Sequence, residues 1–313
     1  MYDIRILKTD RSNLLNEYVK QIERLKNSKK YLICLDSDGT VFNSQEIKFK
    51  KFIIPCMIHI FGLEEISSFV SETAEYVNLY SEWRGIGRYA ALLKVFDMLK
   101  LREEIRRMRF TLPDTVYMLK WLISESKHCK SSLLEYVKNT QDPFLIKVSE
   151  WDNTVDQSIS NRMKGIPKFK YVSECLERAS KYADIIVVSS EASDILRREW
   201  EESGLVQYVN VIAGREVGTK KSIICNIKTG RYLDSHILMI GDALGDLESA
   251  KANNILFYPI IPKREIYSWK RFYDVELYKF VMNQYSSKFE DDAISEFQEV
   301  LESIPPWEKS GNI

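Results

Sequence analysis

The chain has 313 residues, 45 basic and 45 acidic side chains that cancel to no formal net charge, and 45% hydrophobic residues. That length fits one large domain or two smaller ones with a sizeable core, and the composition is that of a globular protein. The balanced charge sets aside a nucleic-acid or membrane-surface role, which would need a basic excess, and the Arg102–Arg109 stretch, with Glu103 and Glu104 interleaved, reads as a solvated helix face.

From the N-terminus, MYDIRILKTDRSN lacks the apolar core with basic flanks of a signal peptide. Leu14, Leu15, Val19, Ile22 and Leu25 recur at helical spacing and predict an amphipathic helix over 12–29. The run YLICL, 31–35, is continuously apolar, as in a strand buried on both faces of a parallel sheet. It ends abruptly at DSDGT, which sets Asp36 and Asp38 one residue apart. From Gln45 to Lys164 the patterns are helical, as in SSFVSETAEYVNLYSEW, RYAALLKVFDMLKLREEIRRM, TVYMLKWLI and SLLEYVKN. Gly85-Ile86-Gly87 and Leu112-Pro113 break them into separate helices. This stretch reads as a helical insertion the size of a small domain.

After Pro167 helices and apolar strands alternate. YVSECLERASKY is a helix, DIIVVSS a strand, SDILRREWEESGL a helix closed by Gly204, YVNVIAG a strand, TKKSIICNI a helix, HILMIGD a strand, DLESAKANN a helix and ILFYPII a last strand. Such βαβ units build a parallel sheet with helices on both faces and with its site at the carboxyl ends of the strands. Residues 265–313 return to helical periodicity and read as a packing or association surface, on their own domain or on a second subunit. No segment has the length of a membrane-spanning helix. Cys34, Cys56, Cys129, Cys175 and Cys225 are scattered, odd in number and without a CxxC pair, which suits free thiols in a reducing compartment; the expected location is the cytoplasm. His59, His128 and His236 have no metal-ligand spacing.

The polar residues that matter stand at the strand ends. Residues two apart at the end of a strand face the same side, so Asp36 and Asp38 can share one pocket. Two carboxylates there call for a hard, oxygen-loving cation, Mg²⁺. Asp242 is a further ligand, and Asp246, one helical turn on, either ligates or holds the metal's waters. The alternative, that these acids only cap helices, would suit one DxD but not an apolar strand with DxDGT followed later by another with GDxxxD. Ser189 or Ser190 offers a hydroxyl and backbone N–H groups at a helix N-terminus, an anion site. Lys220 or Lys221 offers a cation at the start of the next helix.

In this order LICLDSDGTVF, IIVVSS, EVGTKK and LMIGDALGDLESA resemble the motifs of the haloacid dehalogenase superfamily, in its phosphatase branch, over about residues 31–43 and 166–261. The resemblance implies an α/β fold: a Rossmann-like parallel-sheet core, residues 1–44 and 165–264, with 1–30 as an N-terminal helical extension. An all-helical cap, 45–164, is inserted after the first core strand, and 265–313 is a C-terminal helical extension. It also implies a phosphoric monoester hydrolase that uses Mg²⁺ and acts on a small phosphorylated metabolite. Asp36 resembles the nucleophile that becomes an aspartyl-phosphate, and Asp38 the general acid/base. Asp36, the backbone carbonyl of Asp38 and Asp242 would ligate the metal, with Asp246 supporting its shell. Ser189 and Lys220, preferred over Ser190 and Lys221, would hold the transferring phosphoryl group. Thr40, Ser190 and Lys221 join them as candidates for substrate binding. True dehalogenases lack the second aspartate and ATP-driven ion pumps carry a different residue there, so Asp38 points to phosphate esters.

In EWRGIGRYAAL, Arg84 and Arg88 flank a glycine-containing break that could present guanidinium groups to an anionic substrate; the alternative is salt bridging within the cap. A phosphomutase or other phosphotransferase with the same residues, and a non-catalytic binding protein on the same fold, are the other readings.

Overall fold

The computed structural model describes residues 16–309 except 24, 26–28, 126–127, 164 and 286. Two units emerge: Met1–Ser44 with Gly165–Val300, and Gln45–Lys164 with Leu301–Ile313. The first holds a five-stranded parallel sheet in the order β3-β2-β1-β4-β5. Its strands are β1 (Tyr31–Leu35), β2 (Ala183–Val188), β3 (Val211–Ala213), β4 (Ile237–Gly241) and β5 (Leu256–Pro259). The continuous apolar runs are explained by their place: β1 through β4 are buried at every residue.

β1 is central, with Leu35 level with Val187 of β2 and with Ile240 of β4. Two strands far away in sequence therefore end beside Asp36. The third strand prediction, YVNVIAG, shortens to three residues because 206–208 form a 3₁₀ turn. β3 lies at the sheet edge, and its Ile212 N–H donates to Gln21 Oε1 at 2.9 Å. An edge donor is thereby satisfied within the fold. Residues 16–23 are helical, but the buried face is Tyr18 and Gln21, followed by Leu25, while Val19 is 52% exposed. Of the predicted set Leu25 is buried, Ile22 half-buried and Val19 exposed, while Leu14 and Leu15 lie outside the described residues.

Residues 265–313, expected as one extension, are divided between the units. Trp269, Phe272, Leu277 and Phe280 are buried in the core of the first unit with Ile33, Leu35 and Tyr258. Tyr31 Oη donates to the Val281 carbonyl at 2.6 Å. Burying four large apolar side chains contributes roughly 1.5–3 kcal/mol each before entropy is counted, so this segment is part of the core.

The second unit is helical. Its longest helix, Pro143–Arg162, is capped by Asp142, whose carboxylate accepts the Leu145 N–H. Phe61, Phe96 and Phe144 pack ring against ring at 5.2 Å. Two expected helices are interrupted. The one over 67–83 runs as an α-helix only to Glu75 and then as a wider π turn to Tyr80. The one over 88–108 breaks at Arg102, which is extended (φ −66°, ψ 125°) and buries its guanidinium against Glu72 at 2.7 Å. The same guanidinium lies over the rings of Phe69 and Trp307. A buried charge needs such partners, and the helix yields to supply them. Among the described residues no helix is long and apolar enough to cross a membrane. All five cysteines are unpaired thiols.

Candidate active site

The loop after β1 is built around Gly39, whose φ of 80° lies in the left-handed region open to glycine. That turn lets Val41 N–H donate back to the Ser37 carbonyl and Gly39 N–H to the Phe42 carbonyl, both at 2.9 Å. Asp36 N–H still pairs with Ile240 of β4 at 3.0 Å, so Asp36 is the last residue held by the sheet. Asp242 follows β4 directly, and Asp246 lies in the first turn of the helix Leu244–Ala252.

Asp36, Asp242 and Asp246 are buried, and each offers one carboxylate oxygen within 4.8 Å of those of the other two. Lys220 Nζ stands 2.8 Å from Asp36 Oδ1 and 2.6 Å from Asp246 Oδ1. Lys220 opens the helix Lys220–Lys228, capped by the Thr219 hydroxyl on Ser222 N–H. Adjacent residues on a helix diverge by about 100°, so only one of the two lysines reaches the cluster; Lys221 is exposed. Burial pushes the Asp36 carboxyl well above its ordinary range against the pull of Lys220, and the charges of Asp246 and Asp242 push it further. Asp246 is raised too, by burial first. Burial alone would lower the Lys220 ammonium, but Asp246 and Asp36 outweigh it and hold it above the ordinary lysine value.

Three carboxylates and one ammonium, all ionised, would leave two negative charges, the complement of one divalent cation. Oxygen donors of this kind suit a hard cation.

Asp38 is not in this cluster. Its carboxylate accepts a hydrogen bond from the buried Ser44 hydroxyl. Two neighbouring acids of one loop thus have different surroundings. Thr40, expected among the substrate-binding residues, is fully buried and donates its hydroxyl to Asp242 Oδ1 at 2.6 Å. It orients that carboxylate rather than offering its proton to a substrate.

Ser189 is buried beyond β2 while Ser190 is exposed. Ser189 Oγ accepts from Glu191 N–H at 3.1 Å and so keeps its own proton to donate. Ser189 and Ser190, expected at a helix N-terminus, stand three or more residues ahead of it. The helix begins only at Ser193, after Ala192, and Ser193 N–H is taken by Glu216 Oε2 at 3.1 Å. Glu216 also accepts the Ser193 hydroxyl at 2.9 Å and so ties the Ser189 loop to the loop that leads to Lys220. Within its own unit, Arg88 pairs with Asp152 at 2.6 Å and Asp156 at 2.7 Å. Arg84 is buried and donates to the Leu79 carbonyl at 2.6 Å. Both guanidiniums have partners inside the helical unit, Arg88 in the salt bridges that were the alternative to substrate contact.

Gly241, the last residue of β4, is the site's tightest backbone point. A Cβ there would stand 2.4 Å from Cγ and Oδ2 of Asp246. Asp246 has no slack, since Oδ2 also accepts Ala243 N–H at 3.2 Å. Gly241→Ala is expected to displace Asp246 from Lys220 and to cost about 1–3 kcal/mol as an overpacked core does. Urea denaturation reads this; an unchanged midpoint would show that Asp246 can move freely.

The model of the haloacid dehalogenase-like hydrolase family matches residues 111–260. No curated protein sequence matches the chain. Among solved structures, a haloacid dehalogenase-like hydrolase from Streptococcus pneumoniae is 12% identical, covering 77% of this chain and 90% of its own at a TM-score of 0.40. One provisionally named a phosphoglycolate phosphatase, from Lactobacillus delbrueckii, is 12% identical over 78% and 92% at 0.47. A haloacid dehalogenase-like hydrolase from Bacteroides fragilis is 14% identical over 77% and 93% at 0.43. Sheet order and buried acids define an α/β protein with a charged site at the carboxyl edge of its sheet. Over the matched stretch, just under half of its length, the chain is similar to the haloacid dehalogenase-like hydrolases. The matched stretch begins after β1, so the DxDGT loop joins it through strand pairing with β2 and β4.

Proposed function

We propose that the protein is a Mg²⁺-dependent phosphatase that hydrolyses a small phosphorylated metabolite through an aspartyl-phosphate on Asp36. The observation that carries this reading is the difference between its two loop acids. Asp36 is buried with Asp242, Asp246 and the Lys220 ammonium, while Asp38 stands outside that cluster on the Ser44 hydroxyl.

Asp36, Asp242 and Asp246, with the Asp38 backbone carbonyl, would hold Mg²⁺, which supplies positive charge opposite the phosphoryl oxygens. An Asp36 oxygen attacks phosphorus; the O–P bond to Asp36 forms as the bond to the leaving oxygen breaks. Asp38 gives that oxygen its proton. Water then attacks the phosphoryl group, Asp38 takes the proton, and phosphate leaves with the Asp36 carboxylate restored. Splitting the transfer in two lowers each barrier, and positioned charge stabilises each transition state. Lys220 balances Asp36 and the phosphoryl charge, and the Ser189 hydroxyl donates to a phosphoryl oxygen.

Trapping tests the covalent route. Acid quench during turnover of p-nitrophenyl phosphate, then borohydride, is expected to convert residue 36 to homoserine. Asp38→Asn should accumulate the trapped form if it slows the water step more than the first. Turnover without homoserine at 36 would exclude the route.

The raised carboxyls make metal binding pH-dependent. Asp36 and Asp246 must shed protons to ligate, so Mg²⁺ binding should release protons and weaken as pH falls. Isothermal titration in buffers of different ionisation enthalpy measures this; no proton release at pH 6 would contradict it.

A further inference from the structure

We infer that Trp269, in the helix Glu265–Arg271, is a positioning residue for the metal site and acts through Thr40 on Asp242. The inference rests on the metal-dependent reading above. The indole Nε1–H donates to the Thr40 carbonyl at 2.8 Å, and the Thr40 hydroxyl donates to Asp242 Oδ1 at 2.6 Å. Trp269, Thr40 and Asp242 are each fully buried. An indole has one donor and a threonine hydroxyl one proton. Away from water, an unmade bond at either step leaves a buried polar group unsatisfied. The Thr40 backbone is therefore fixed by Trp269, and the rotation of the Asp242 carboxylate by Thr40.

The indole itself rests on a rigid support. The carbonyl of Ser268 accepts the Tyr258 hydroxyl at 2.7 Å, and that of Trp269 accepts the Cys175 thiol at 3.4 Å. Ser268 Oγ accepts Ile261 N–H at 3.0 Å, just past the end of β5. The ring meets Phe272 edge-on at 88°. Groups that hold a ligand in place are worth about 10–100-fold in metal affinity or activity.

Trp200 provides an internal comparison. It is equally buried and donates from Nε1 to Ser37 Oγ at 3.1 Å, in the same loop. Among the described residues its bond ends on Ser37 and does not pass through Thr40.

The test is Mg²⁺ titration of the purified full chain, read by calorimetry and by thermal shift, neither of which needs turnover. Trp269→Phe keeps the ring and removes the donor; it should raise the Mg²⁺ dissociation constant about 10-fold. Trp200→Phe should leave it at the wild-type value. Thr40→Val should weaken binding as Trp269→Phe does, and Thr40→Ser should restore it. In the ¹⁵N-labelled wild type, Mg²⁺ should shift the Trp269 indole N–H resonance more than that of Trp200, a readout that survives if a variant fails to fold. Wild-type affinity in Trp269→Phe, equal weakening in Trp200→Phe, or an unmoved Trp269 resonance would overturn the inference alone. A wild-type chain that does not respond to Mg²⁺ would overturn the metal reading and this inference with it.

Discussion

Asp36→Asn is expected to abolish phosphate release, by at least about 10³-fold, because in the proposed mechanism a neutral amide cannot replace the carboxylate nucleophile. The fold should not suffer. Burial, and the charges of Asp246 and Asp242, already disfavour the ionised carboxyl. Lys220 keeps Asp246 at 2.6 Å when Asp36 is gone. A carboxyl whose folded pKa exceeds its unfolded value near about 4 costs nothing below that pH and costs more as pH rises toward the folded pKa. The neutral amide removes the cost. In chelator the variant should match the wild type at pH 4 and melt at least as high at pH 8. A variant that melts far lower at pH 8 would mean that Asp36 is chiefly the structural partner of Lys220.

Lys220→Met should be the opposite case. It leaves Asp36 and Asp246, both buried, without the ammonium that stood between them. Removing one partner of a buried ion pair costs about 3–5 kcal/mol, since the remaining charge is unpaired. The size should depend on pH. Without Lys220 the two carboxyls are pushed up further, so the folded chain takes up protons that the unfolded chain does not. The loss should be full at pH 8 and shrink toward pH 5 as protonation replaces the missing cation. Urea denaturation in chelator at both pH values measures this. Equal losses would show that the lysine acts by packing alone. Activity should be lost at either pH.

How much of this was legible in the sequence depended on how locally each role is set. The acids at 36, 242 and 246 follow apolar runs, and strand ends in a parallel sheet converge, so their meeting was readable. Lys220 over Lys221, and Ser189 over Ser190, followed from helix phase and from nearness to a strand. The missed contacts are made by chain distant in sequence. Trp269 reaches Thr40 from 229 residues away, in a segment whose periodicity signals only packing. Gln21 closes an edge donor 191 residues on. Glu216 is a polar residue in a loop, and nothing local marks it as the partner of Ser193. That the Thr40 hydroxyl donates to Asp242 was likewise not readable, since its acceptor lies 202 residues on. Arg88 has its partners 64 and 68 residues on, in another helix. The interrupted helices failed for a related reason: Arg102 leaves the helix to satisfy a buried charge with Glu72, a tertiary demand that periodicity does not register.

The most direct measurement is phosphate release from a broad panel of phosphorylated small molecules, with Mg²⁺ or with chelator, by the wild type beside Asp36→Asn. The expected result is release from a subset of the panel that needs Mg²⁺ and disappears in the variant. Release that persists in Asp36→Asn or in chelator, or none from any member, would contradict a phosphatase built on Asp36.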